Sequence, residues 1–265
     1  MNIPFVKYHG AGNDFVIIDS RKLDIDFNHK LVELICNRRL GIGADGLILL
    51  NTSTENEVDF SMKYFNSDGF ESTMCGNGGR CITAFANYLN IINEKAIFNA
   101  IDGLHYSEIL KNEQQKSLFI KLKMIDVENI VIIEDDYFLN TGSPHFVVFV
   151  DNAKNADVEG MGKMLRNDKR FKPDGANINF VSFSNGRLFV RTYERGVEAE
   201  TLSCGTGVTA SVLATVLRLD LPFEKINVDT LGGQFEVTFK RNENSFSNIW
   251  LHGPVVRVFE GVFCV

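Results

Sequence analysis

Short apolar stretches alternate with polar, glycine-containing turns along most of the chain, and nearly all are of strand length. Ile3–Tyr8 and Phe15–Asp19 predict strands around the loop His9-Gly10-Ala11-Gly12-Asn13-Asp14. Asn28 is placed to cap a short helix on which Leu31, Leu34 and Ile35 share one face. Leu47–Leu50 predicts a strand after the turn Gly41–Gly46, and Val58–Asn66 alternates as another. Strands follow near Ala96–Ala100, Leu104–Leu110 and Ser117–Met124. Beyond a loop at Thr141–His145 come a strand at Phe146–Val150 and a helix starting at Asp157 that carries Met161 and Leu165. Ala176–Val181 and Leu188–Tyr193 predict strands, and Val255–Val265 is a strand-like tail. Two longer apolar runs, Ile82–Ile92 and Val208–Leu219, read as helices buried in the core.

The second half repeats the first. Asp45/Asp174, Gly46/Gly175, Tyr64/Tyr193, Glu71/Glu200, Cys75/Cys204, Gly78/Gly207 and Gly103/Gly232 are all separated by 129 positions. A constant offset without a gap indicates a duplicated domain. One copy spans residues 1–125 and the other 126–253, with the tail at 254–265 expected to pack back on the first. The period is too long and the copies too few for a solenoid.

Each long helix is preceded by the same chemistry. The first opens after Cys75-Gly76-Asn77-Gly78-Gly79-Arg80 and the second after Cys204-Gly205-Thr206-Gly207. A helix N-terminus presents N–H groups and the positive end of the dipole, which favour an anion and lower a thiol pKa. Glycines there let a ligand carboxylate reach the backbone. The competing reading is two buried structural cysteines beside tight turns, and its occurrence twice in one setting argues against it.

Bulk properties narrow the class. The 265 residues are 45% apolar and 23% charged, with a net charge of -7, enough apolar sequence for a sizeable core. Lysines and arginines are scattered, which argues against a nucleic-acid partner. Residues 1–10 contain no signal-peptide core, and no apolar run reaches bilayer length, so the expected compartment is the cytoplasm and the five cysteines are expected as reduced thiols. No Walker A or dinucleotide-binding motif is present, and the cysteine spacing does not suit zinc, so neither cofactor nor metal is expected.

Related halves commonly enclose a ligand in the cleft between them, which would place one thiol on each side of a bound molecule. Two similar groups on opposite faces of one carbon suit inversion by proton transfer, with one cysteine as thiolate base and the other as thiol acid. Backbone N–H groups of the glycine loops would hold a carboxylate as carbanion charge develops beside it.

Five stretches carry a closer resemblance: His9-Gly10-Ala11-Gly12-Asn13-Asp14-Phe15, Phe65-Asn66-Ser67-Asp68-Gly69, Met74-Cys75-Gly76-Asn77-Gly78-Gly79-Arg80, Gly142-Ser143-Pro144-His145, and Glu194-Arg195-Gly196 through Cys204-Gly205-Thr206-Gly207. In order and extent the chain resembles the diaminopimelate epimerases. That resemblance implies an α/β fold of two similar domains, each a curved, mixed, largely antiparallel sheet around a central helix. It implies cofactor-independent interconversion of LL- and meso-2,6-diaminopimelate, in lysine and cell-wall precursor biosynthesis, by a homodimer. Residue by residue, it implies Cys75 and Cys204 as the acid–base pair and His145 and Glu194 as groups adjusting the thiols. Asn13, Asn66, Gly76, Asn77, Asn177, Glu194, Arg195, Gly205 and Thr206 are implied to contact substrate. Arg195 suits the distal carboxylate as a fork, and Glu194 suits an ammonium group.

The pattern departs from the family at Gly46, where many members carry glutamine, and at Ser143, where many carry asparagine, so neither is assigned to the site. A proline or hydroxyproline racemase shares the two-thiol chemistry and is the alternative. A thiol redox protein is the remoter one, since neither cysteine lies in a Cys-x-x-Cys motif. Cys36, Cys81 and Cys264 sit among apolar neighbours and are expected as inert core residues.

Overall fold

A computed structural model describes residues 2–110, 118–173 and 175–264. The chain divides into two compact units, Met1–Leu122 with Pro254–Val265, and Lys123–Gly253. The described residues form sixteen strands and four α-helices, a mixed α/β fold dominated by sheet.

In the first unit β1 (Asn2–Gly10) and β2 (Asn13–Asp19) form an antiparallel hairpin. Its turn needs positive φ at Ala11 (52°) and Gly12 (90°), and glycine takes the second of these without strain. Helix α1 (His29–Cys36) then crosses over to β3 (Gly46–Asn51), which lies parallel to β2. Strand β4 (Phe60–Asn66) is antiparallel to β3. Helix α2 (Gly76–Tyr88) carries the chain to β5 (Lys95–Ala100), parallel to β4, and β6 (Gly103–Leu110) and β7 (Leu118–Lys123) continue antiparallel. Residues 256–264 of the last strand pair antiparallel with β1.

The second unit runs through the same plan. Strands β8 (Ile130–Ile133), β9 (Asp136–Asn140) and β10 (Pro144–Phe149) are antiparallel neighbours. Helix α3 (Val158–Arg166) crosses to β11 (Asn177–Ser184), parallel to β10, and β12 (Arg187–Glu194) is antiparallel to β11. The short β13 (Ala199–Thr201) pairs with β12 before helix α4 (Gly205–Arg218) crosses to β14 (Lys225–Asp229), parallel to β12. Then β15 (Gln234–Asn242) and the first part of β16 (Ser245–Cys264) are antiparallel. In both units the helices supply the only crossovers between parallel neighbours among these pairings, as parallel strands require.

Helices α2 and α4 are the centres of their units. Gly76 to Ala86 are buried without a break in α2, and Gly205 and Gly207 to Val216 are buried in α4. A helix buried all round cannot expose polar groups to water, so Thr83, Thr209, Ser211 and Thr215 each donate to the carbonyl four residues earlier. The N-caps of the short helices are as the side chains dictate: Asn28 Oδ1 accepts from Leu31 N–H and Asp157 Oδ1 from Gly160 N–H.

Several sequence expectations shift. The buried face of α1 is Val32, Ile35 and Cys36, and Leu34 is 38% exposed, so the helix is turned by one residue from the expected face. Both sets have helical spacing, and packing against the sheet selects between them. Helix α2 starts at Gly76 rather than Ile82 and ends at Tyr88, closed by Asn90 in the left-handed region (φ 56°). Pro144 and His145 belong to β10 rather than to a loop, and the β8–β9 hairpin had no counterpart in the sequence reading. Cys264 is exposed, not a core residue. Asp174, Ser117 and Val265 lie outside the described residues.

Candidate active site

In the first unit Cys75 is the N-cap residue of α2, with extended backbone (φ -86°, ψ 131°). The first intrahelical bond runs from Gly79 N–H to Cys75 C=O (2.8 Å), so the amides of residues 76–78 point out of the helix N-terminus. Cys75 Sγ lies 3.5 Å from Asn13 Oδ1. That oxygen also accepts from Asn77 Nδ2 (3.3 Å), while Asn13 Nδ2 donates to Asp45 Oδ2 (2.8 Å). Arg38 in turn holds Asp45 (2.7 Å). The amide orientation of Asn13 is therefore set from both ends, and it presents an acceptor to the sulfur.

Arg80 is fully buried, donating to Asn77 Oδ1 and to Gly76 C=O (3.2 Å). Burial lowers its pKa to about 10, against the opposing pull of Cys81 and Cys75, so it remains a cation at neutral pH. Burial pushes Cys36 up to about 12 and Cys81 still higher, which keeps both as unreactive thiols. Asn66, at the end of β4, is exposed and its backbone closes a turn with Phe70. At Gly46 a Cβ would lie 2.5 Å from Phe65 C=O and 2.6 Å from Tyr64 Cε2, so a glutamine does not fit there on this backbone.

In the second unit Cys204 caps α4 in the same way (φ -121°, ψ 114°), with Val208 N–H donating to its carbonyl at 2.8 Å. Its surroundings differ. Cys204 Sγ is 3.4 Å from Thr206 Oγ1, which is 2.9 Å from His145 Nε2. The other ring nitrogen, Nδ1, is 3.0 Å from Asn179 Nδ2, and Asn179 Oδ1 accepts from Thr192 Oγ1 (2.9 Å). The Thr206 carbonyl is held by the Thr141 hydroxyl at 2.8 Å. Asn177 Oδ1 accepts from Arg195 N–H (2.9 Å), and its Nδ2 donates to Ser143 Oγ (2.9 Å) and Pro144 C=O (3.0 Å). Glu194 Oε2 accepts from the Thr201 hydroxyl (2.8 Å). Arg195 also lines a cavity of about 460 Å³ together with Arg170 and Lys172.

Full burial, reinforced by the Arg195 charge, lowers the His145 pKa from 6.5 to about 3, against the bond from Asn179. His145 is neutral at physiological pH. Because its folded-state pKa is depressed, the unfolded chain binds the extra proton between about pH 6.5 and 3. Stability contributed by neutral His145 is present above pH 6.5 and falls as the pH drops through that window. Urea unfolding between pH 7 and 5 should show a loss of up to about 1.4 kcal/mol per pH unit from this one proton. That component of the slope should be missing in His145→Gln; an unchanged slope would contradict the assignment.

Within its own unit each cysteine thus sits among residues expected for the site: Cys75 with Gly76, Asn77 and Asn13, and Cys204 with Gly205, Thr206 and His145. Sequence reasoning missed Arg80, Asp45, Asn179 and Thr192. The signal at Asn179 was a polar side chain at a buried position of an apolar strand. Among the described residues no three His, Cys, Asp or Glu side chains cluster as a metal site, and no helix is long and apolar enough to cross a membrane.

A sequence model of the family described as diaminopimelate epimerase matches residues 5–125 and 137–258. The diaminopimelate epimerase of Flavobacterium psychrophilum is 48% identical over 256 residues, which covers 96% of this chain and 97% of that one. The phenazine biosynthesis protein of the PhzF family from Bacillus anthracis superposes with a TM-score of 0.79 at 15% identity, covering 100% of both chains. A hydroxyproline epimerase from Agrobacterium vitis superposes with a TM-score of 0.72 at 15% identity, over 99% of this chain and 92% of that one. The two structural likenesses speak to the fold, which is the duplicated mixed α/β fold expected from the sequence.

Proposed function

Since this chain belongs to the diaminopimelate epimerase family, we propose that it inverts one α-carbon of 2,6-diaminopimelate with Cys75 and Cys204 as its acid–base pair. The enzyme is an isomerase, and LL- and meso-diaminopimelate are its substrate and product. The observation that carries the cysteine assignment is the repetition of one device: a thiol at the N-cap of a buried helix, followed by amides that point out of that helix. The family relation supports the substrate, and the helix ends support the chemistry.

Inversion needs a base on one face of the α-carbon and an acid on the other. Cys204 and Cys75 fill these roles, exchanging them when the reaction runs backwards. The difficult species is the carbanion beside a carboxylate. The amides of Gly76, Asn77, Gly205 and Thr206 hold that carboxylate while charge grows on it, aided by both helix dipoles. His145 and Glu194 adjust the thiols. Asn13, Asn66, Asn177, Glu194 and Arg195 hold the rest of the substrate, with the Arg195 guanidinium as a fork for the distal carboxylate.

The test is incubation with LL-diaminopimelate in D2O without added cofactor. Meso product carrying deuterium at a single α-carbon supports the reading. Absence of turnover, with activity on proline or hydroxyproline instead, selects the racemase alternative. Within the same assay, Arg195→Lys should retain charge but lose the two-pronged contact. Its kcat/KM should fall by about 10²-fold with an unchanged unfolding midpoint, because a misplaced α-carbon disables both proton transfers. Near-wild-type kcat/KM would remove Arg195 from substrate binding.

A further inference from the structure

The two cysteines stand at equivalent points of the repeat, yet their hydrogen-bond networks point in opposite directions. Asn13 is anchored through its Nδ2 to Asp45, so the atom facing Cys75 Sγ is a carbonyl oxygen. An oxygen acceptor favours the S–H form. At Cys204 the order of donors is reversed. The Thr192 hydroxyl donates to Asn179 Oδ1, which leaves the Asn179 amide N–H to donate to His145 Nδ1. A neutral imidazole that accepts at Nδ1 carries its proton on Nε2 and donates to Thr206 Oγ1. The Thr206 hydroxyl then has its own proton to offer to Cys204 Sγ at 3.4 Å, and a hydroxyl donor favours thiolate.

From this we infer that Asn179 is a positioning residue: by fixing the His145 tautomer it sets the direction of the whole relay and holds Cys204 as the resting base, with Cys75 as the resting acid. The inference rests on the proposed acid–base role of the two thiols. Asn179 touches no reacting atom and acts only through His145 and Thr206. The fold makes room for it. Gly207, in the first turn of α4, is the residue beneath the relay, and a Cβ there would lie 2.4 Å from Asn179 Oδ1. The nearest neighbours of the repeat-equivalent glycine, Gly78, are the Ile48, Met62 and Phe15 side chains instead, so the surroundings that are polar at Gly207 are apolar at Gly78. The relay partners are uncharged: Asn179 from β11, Thr192 from β12, and Thr206 from α4. The charge acting on His145 is that of Arg195, and Glu194 at the end of β12 is engaged by Thr201.

The test reads the thiols without substrate. Full-length protein is alkylated with iodoacetamide across pH 5 to 10, and the rate at each cysteine is followed by peptide mass spectrometry. In wild type, Cys204 should have the lower midpoint. Asn179→Asp presents only acceptors to Nδ1, moves the imidazole proton there, and turns Thr206 away from the sulfur. Its Cys204 midpoint should rise by about one pH unit, a tenfold slower alkylation below it, which is the loss of about one hydrogen bond to a charged group. Thr192→Val releases the Asn179 amide without adding charge, and should shift Cys204 in the same direction. Thr192→Ser should restore the wild-type midpoint, and Cys75 should not move in any of them. Buried Cys81 must stay unmodified, which reports an intact fold; Thr192→Val keeps the test open if Asn179→Asp does not fold. A shift in Asn179→Asp alone would be an effect of charge and would overturn the inference, as would a wild-type Cys75 midpoint below that of Cys204. Active wild-type enzyme with unshifted midpoints defeats only this inference, whereas shifted midpoints in a protein without epimerase activity defeat only the functional reading.

Discussion

Cys75→Ser and Cys204→Ser should each lower kcat for epimerisation by about 10³-fold or more. A hydroxyl in place of the thiol has an aqueous pKa too high for either partner role near neutrality, and general acid–base catalysis commonly contributes about 10²–10⁴-fold. Both substitutions are close to isosteric, and neither sulfur is bridged in a disulfide, so the variants should fold and unfold with midpoints close to wild type. Each variant retains one thiol. In D2O it should therefore exchange the α-proton of one stereoisomer without inverting it, and the two variants should prefer opposite stereoisomers. Proton NMR of each isomer incubated separately with each variant reads this out. If either variant still inverts the centre at more than about a tenth of the wild-type rate, its cysteine is not half of the acid–base pair.

Gly207→Ala should cost far more than Gly78→Ala, although the two glycines occupy equivalent positions of the repeat. In a helix interior the change from glycine to alanine by itself stabilises by about 1 kcal/mol. At Gly207 the new methyl would sit 2.4 Å from Asn179 Oδ1 and 3.3 Å from both His145 Cε1 and Thr192 Oγ1. Those atoms belong to a buried hydrogen-bond relay and cannot move apart without breaking it. Overpacking of about 1–3 kcal/mol and a lost buried hydrogen bond of about 1 kcal/mol outweigh the helix gain. At Gly78 the nearest atoms are Ile48 Cδ1 (3.1 Å) and Met62 Cε (3.4 Å), the free ends of flexible side chains. Gly78→Ala should then be within about 1 kcal/mol of wild type, while Gly207→Ala loses about 2 kcal/mol and about 10²-fold in kcat through displacement of the relay. Urea unfolding together with D2O turnover decides it: equal stability and activity for the two variants would mean that the relay tolerates displacement.

Covalent order and local chemistry carried much of this protein openly in its sequence. The constant offset between the halves is a property of linear order itself, and the cap residues Asn28 and Asp157 and a cysteine ahead of each long apolar run depend on neighbours a few residues away, so linear spacing records them. The family motifs named the thiols, His145 and Arg195 for the same reason. Other features were decided only by packing. Leu31, Leu34 and Ile35 and the true face of Val32, Ile35 and Cys36 have the same period, and only contact with the sheet selects one. In the β8–β9 hairpin β8 is a half-exposed, wholly apolar run and β9 buries Tyr137 and Leu139, but the sequence of neither alternates apolar with polar residues to mark it. At Asn179 the one sign was a polar side chain within an apolar strand; its partners were not legible, because a hydrogen bond across 34 positions to His145, and another across 13 to Thr192, leave no local spacing to read. The same limit applied to Arg80, whose place in a motif was plain but whose full burial beneath the first turn of α2 depends on the strands around it. Spacing along the chain therefore disclosed the two cysteines ahead of their helices, whereas the contacts that orient Asn13 and Thr206 beside the two sulfurs come from tertiary structure.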